Sequence, residues 1–172
     1  MSVKHITGSL ILGICISAAF AYWHFISVPE KEMELLTFYY SRTDAIYQTI
    51  KNPNTSTVNA AKKDYDTEVV LFVEQERKAN ELKKMLISNG VSLRSEKAKE
   101  TSKALINTAD CLEKLASANS KLQISLRVLE QNPYARYDQK FIQNVEKTIA
   151  DRNAILKKLD DEMNPLLEGY FR

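Results

Sequence analysis

The chemistry open to this chain is bounded by where its histidines stand. Both of them, His5 and His24, flank or end an uncharged N-terminal run, and no imidazole occurs after position 24. Without one, histidine-mediated proton transfer, Ser-His nucleophiles and the commonest metal ligand are all missing from the remainder of the chain. Di-iron helical bundles use Glu-x-x-His pairs, and the sequence contains none. It has no Gly-rich phosphate loop and no Cys-x-x-Cys pair either. Asp160, Asp161 and Glu162 are consecutive, but neighbours on a helix point in different directions and cannot close a coordination shell alone. The expected protein is therefore not an enzyme and has no catalytic residue, cofactor or metal site.

Charge offers more. Between Arg77 and Lys103 stand eight basic residues against three acidic ones. If this stretch is a turn that returns to a bilayer, Lys83, Lys84, Arg94 and Lys97 are its candidates for meeting anionic headgroups. Alternatively, the same cations complement a helix C-terminal dipole and pair with Asp160, Asp161 and Glu162. Beyond Val28 the formal charge is only about +1, which argues against a nucleic-acid binder, whose affinity rests on a basic face meeting phosphates. Cys15 and Cys111 are too differently placed to form a disulfide framework, and Cys111 reads as a small buried residue. Asn54-Thr55-Ser56 is an acceptor sequence for N-glycosylation.

These residues must be positioned by helices. Only four Gly and four Pro in 172 residues favour long uninterrupted helices over a turn-rich β fold. Residues 6–28 carry no Asp, Glu, Lys or Arg, and as a helix would reach roughly 34 Å, enough to span a hydrocarbon core of about 30 Å. Lys4 and His5 precede this run and Glu30, Lys31, Glu32 and Glu34 follow it, which predicts a cytoplasmic N-terminus and a periplasmic or extracellular remainder. Tyr22, Trp23 and Phe25 would lie at the outer headgroup level. Residues 1–28 are thus expected to be a retained signal-anchor helix; a signal peptide cleaved after Ala21, removing residues 1–21, is the rival. Ser9, Gly13, Ser17 and Ala21 recur every fourth residue, as in membrane helices that approach closely.

Residues 29–172 read as one helical bundle. Ser27-Val28-Pro29-Glu30 has the form of a helix start, and this first helix carries Leu35, Leu36, Tyr39, Ile46 and Ile50 to about Lys51. The second is expected from about Thr57 to Ser88 with Phe72, Ala79, Leu82 and Leu86 inward, closed by a left-handed Asn89-Gly90. The third runs from about Ser95 to Gln131 on a near-heptad seam that includes Leu105, Leu112, Leu115 and Leu126. The fourth starts near Asp138 and should stop before Pro165. Tyr134 to Asp138 is either a contact loop or a plain turn and cap. Asn119 and Arg152 interrupt the apolar pattern at inward positions. Short connections imply antiparallel neighbours, so the fold is an all-α, up-and-down bundle of three to four long helices behind a transmembrane helix.

The function that fits is a non-enzymatic, membrane-anchored bundle acting through a protein partner or a second copy of itself, at the outer face of a bacterial inner membrane. The same architecture resembles the extracytoplasmic half of bacterial chemoreceptors and sensor kinases, implying a ligand-binding module that signals through a membrane partner. It also resembles the single-anchor layout of phage inner-membrane spanins, implying an envelope-bridging or lysis factor. No particular small-molecule ligand is indicated.

Overall fold

The computed structural model describes residues 16–52 and 65–171. All regular elements among them are helical: α1 (Val28–Lys51), α2 (Tyr65–Gly90), α3 (Glu96–Gln131), α4 (Gln139–Lys158) and α5 (Asn164–Phe171). A 3₁₀ turn, Pro133–Tyr137, separates α3 from α4, and five-residue π turns lie at Trp23–Ser27 and Leu159–Met163. Cross-helix bonds set the directions: Tyr39 meets Asn89, Lys83 meets Asp110 and Glu113, and Arg152 meets Asn119. The pairs α1–α2, α2–α3 and α3–α4 therefore run antiparallel, while α5 continues α4 through the π turn.

Helix α3 lies at the centre, touched by α1, α2, α4 and α5. Its buried residues alternate between three large ones, Leu105, Leu112 and Leu115, and a majority of small ones such as Ala98, Ala104, Ala109 and Ala116. Small side chains let neighbouring helices approach on more than one face, while the leucines fill the spaces between them. The buried hydroxyls of Thr101 and Thr108 bond back to the carbonyls of Lys97 and Ala104, so they can be dehydrated without losing a partner. From the other helices come Leu36, Tyr39, Ile46, Tyr47 and Ile50 on α1 and Phe72, Ala79, Leu82 and Leu86 on α2. Of the expected inward residues, Leu35 and Leu126 are each 38% exposed and Ile149 is 42% exposed. No residue of α4 is fully buried.

Three helix ends differ from expectation. Ser27 is helical and makes no side-chain cap bond, so α1 continues a helix already formed over residues 16–22. Pro165 does not end the last helix, which goes on to Phe171. In both places a π turn finishes two residues before the proline, with the Val28 amide bonding the Trp23 carbonyl and the Asn164 amide bonding the Leu159 carbonyl. The extra residue widens the helix where the proline ring would otherwise press on the carbonyl four residues back. Asn89 and Gly90 are not left-handed, since no residue described has positive φ. The turn closes instead through Ser92 N–H to the Asn89 carbonyl and Leu93 N–H to that of Gly90. A Cβ on Gly90 would stand 3.3 Å from Ser102 Oγ, so glycine serves close helix approach rather than backbone handedness. The start of the second helix at 57–64 and the Asn54 acceptor sequence lie outside the described residues.

The polar interruptions find each other. Arg152 Nε donates to Asn119 Oδ1 at 2.6 Å across the α3–α4 seam, which satisfies a buried amide oxygen and directs the guanidinium toward solvent.

Leu112 and Leu126 share one sequence seam but not one environment, 0% against 38% exposed. Leu112→Ala is expected to cost about 3 kcal/mol and Leu126→Ala under about 1 kcal/mol, read from urea midpoints at constant slope.

Candidate functional site

The end of the bundle nearest the apolar N-terminal run is assembled from three pieces: the start of α1 with its helical extension, the turn between α2 and α3, and the first turn of α3. Ser95 caps α3 by accepting the Ala98 amide at 3.2 Å. Two amides just before the helix remain, and a residue from another helix takes both: Glu32 of α1 accepts Arg94 N–H at 2.6 Å and Ser95 N–H at 3.0 Å. A carboxylate at this position also meets the positive end of the α3 dipole. Burial raises the Glu32 pKa, but the Ser95 and Arg94 amides outweigh it and hold the carboxyl below its ordinary range. One helical turn or more further along, Asn89 Nδ2 donates to the Tyr39 hydroxyl. The turn is thereby tied to α1 at two levels.

This docking brings Arg94 over the Trp23 ring, with its guanidinium carbon 5.5 Å from the centroid. Around them the surface is apolar: Phe20, Tyr22, Phe25 and Ile26 are exposed, and Val91 at the tip of the turn is 87% exposed. Of the four basic candidates, Arg94 sits in this site. Lys84 and Lys97 are exposed and have no ion pair among the described residues. Lys83 is turned away, held by Glu113 and by Asp110 at 3.0 Å on α3. Those two hydrogen bonds, Glu113's first, keep its ammonium charged well above the ordinary lysine range, so it works as a cross-helix tie. Ser17 and Ala21 lie one turn apart on the exposed helical extension, whereas Ser9 and Gly13 lie outside the described residues.

The acidic run is engaged elsewhere than with the α2–α3 cations. Asp160 accepts from Tyr47 Oη and from Lys51 at 3.2 Å, and Asp161 pairs with Lys157 at 3.1 Å. The register explains this: antiparallel α1 passes the π turn at Tyr47, several turns from the basic hairpin. Burial and then the Asp160 bond push the Tyr47 phenol up, so the hydroxyl of this Tyr-Lys-Asp group stays protonated and donates to the carboxylate. Burial likewise raises the Cys111 thiol, which leaves it a packing residue. Among the described residues no group of three or more His, Cys, Asp or Glu is arranged to hold a metal. Among them, too, no helix is long and apolar enough to cross a membrane.

Sequence reasoning does not single out Glu32 as a clamp, nor Asn89 as a tether. Nothing local marks them, because their partners are 62 and 50 residues distant. Compared with models of protein families, with characterised proteins and with solved structures, the chain matches none.

Glu32 makes the docking acid-sensitive. Its folded pKa is depressed, so its contribution is complete above the ordinary value near 4.5 and is lost as the pH falls through the lower folded value. Glu32→Gln is expected to remove about 1 kcal/mol at neutral pH and to flatten the acid limb of the stability profile. Thermal melts between pH 7 and pH 3 would show it, and a variant with an unchanged acid limb would refute the assignment.

Proposed function

We propose that this protein is a membrane-anchored helical bundle that works by binding other proteins at the outer face of a membrane, with its N-terminus on the cytoplasmic side. The observation that carries this reading is the state of residues 16–26. They are helical, continuous with α1, free of charged side chains and exposed along their whole length, with Ile16 62%, Phe20 62% and Phe25 73% accessible. A run of that kind is not left in water without a cover. Together with residues 6–15, which lie outside the described residues, it forms an apolar stretch of sufficient length to span.

The adjoining surface agrees in character. Trp23 and Tyr22 belong to the side-chain types that favour the headgroup layer, Arg94 supplies a cation beside them, and the carboxylates Glu30 and Glu34 follow on the distal side. Protein binding rather than catalysis is favoured by the site chemistry described above, in which Glu32, Lys83 and the Tyr47–Asp160 pair are used in tying helices together. A partner would have ample exposed surface toward the far end, where Tyr134 and Tyr137 are 80% and 74% accessible.

Intact mass of protein extracted from membranes tests the anchor, combined with crosslinking in the membrane before extraction. The expected result is a mass beginning at or next to Met1 and a reproducible crosslinked neighbour. A mass beginning at Tyr22 would overturn the anchor, and full-length protein with no crosslinked neighbour would overturn the binding role.

A further inference from the structure

Gln75 is 5% exposed as a residue; what remains accessible includes its amide, which has no hydrogen-bond partner among the described residues. An amide in that position is left to bond water or a ligand that occupies the space in front of it. It lines a half-open groove of about 380 Å³ on the seam of α1 and α2, the size range of small-molecule sites. The floor is apolar, made by Ile46, Leu82 and Met85, and the Thr49 hydroxyl stands on the wall.

The rim is selectively neutralised. Arg77 is held by Glu74 and Glu81, and Lys78 by Glu74 at 3.6 Å. Arg42 is different: its guanidinium lies 4.5 Å from the Phe38 centroid and has no carboxylate partner among the described residues. Because Tyr39 is level with Asn89 and the helices are antiparallel, Arg42 belongs to the Met85 end of the groove and Thr49 and Gln75 to the other. The seven residues from Arg42 to Thr49 correspond to a rise of about 10 Å.

We infer that this groove binds an elongated amphipathic molecule, with an anionic group on Arg42, a hydrocarbon body over Ile46, Leu82 and Met85, and a hydroxyl or similar hydrogen-bonding group on Gln75. Arg42 provides the one unneutralised cation of the rim, which selects anions over cations. Gln75 both donates and accepts, so a terminal hydroxyl satisfies it where a methyl group leaves it unpartnered. The site belongs to the bundle alone and does not depend on whether the N-terminal run is retained.

The test is calorimetric titration of the full-length protein in zwitterionic nanodiscs, with empty nanodiscs subtracted, using ω-hydroxydecanoate, decanoate and decylamine. Saturable binding is expected for ω-hydroxydecanoate, about tenfold weaker binding for decanoate, and none for decylamine. Arg42→Gln should weaken the hydroxy acid about tenfold. Gln75→Leu should erase its advantage over decanoate while leaving decanoate binding itself in place, which also shows that the variant folds. Ala45→Trp, filling the groove, should abolish binding at unchanged helicity. No saturable binding, or binding indifferent to all three substitutions, would overturn the inference. So would equal binding of decylamine, or self-association lost in Ala45→Trp without ligand binding, which would make the groove a contact between copies. A chain found to begin at Tyr22 would leave these outcomes as they are, so failure here and failure of the anchor are separable.

Discussion

Helix α3 must present an acceptable surface to every other helix, and that constraint shapes the bundle around it. A helix buried on one side needs only an apolar stripe, whereas one touched by four neighbours needs side chains small enough for several backbones to come close. Alanine, serine and threonine supply that surface along residues 98–120, with the hydroxyls folded back onto their own helix. Leu105, Leu112 and Leu115 are the exceptions, and each is completely buried. Their transfer from water, about 2 kcal/mol apiece, is the cohesive centre of the molecule.

Around this centre the polar ties are distributed unevenly. The half near the N-terminal run has α1, α2, α3 and α5 together, joined by Glu32 to the α2–α3 turn, Tyr39 to Asn89, Tyr47 to Asp160 and the Tyr40–Phe171 ring stack at 4.6 Å. The far half holds the end of α3 against α4, whose residues are at most half-buried. Fewer buried apolar contacts mean a lower free energy of local opening there. A bundle firmer beside the apolar N-terminal run and looser where its tyrosines are exposed suits the proposed division between attachment and partner binding.

The two prolines that follow π turns show how a local rule is overridden. Pro29 and Pro165 each suggest a helix boundary when read alone, yet both sit inside continuous helices. What the local reading lacks is a reason to extend the helix. That reason is tertiary: Leu159, Met163 and Leu167 are all buried, and a chain ending its helix at Asn164 would leave Leu167 and the Phe171 ring without their seats. Burial repays the widened turn.

Much of the architecture was legible from residue types and spacing, because helical periodicity and short connections are local properties that survive into the fold. The all-α class, the antiparallel order, and the inward faces of α1 and α2 follow from them. The seam of α3 was legible as far as Asn119. Beyond that the apolar pattern continued to Leu126, which is exposed because α4 covers another side of α3 there, and only the tertiary arrangement decides how far a seam has partners. Asn119 and Arg152 could each be marked as out of place, but not as one another's partner. Glu32, Gln75 and the division of labour between Lys83 and Arg94 were not legible at all. Whether a carboxylate caps a distant helix, an amide faces a groove or a lysine is neutralised depends on contacts across the bundle, which a single chain of residues does not contain until α3 gathers the others around it.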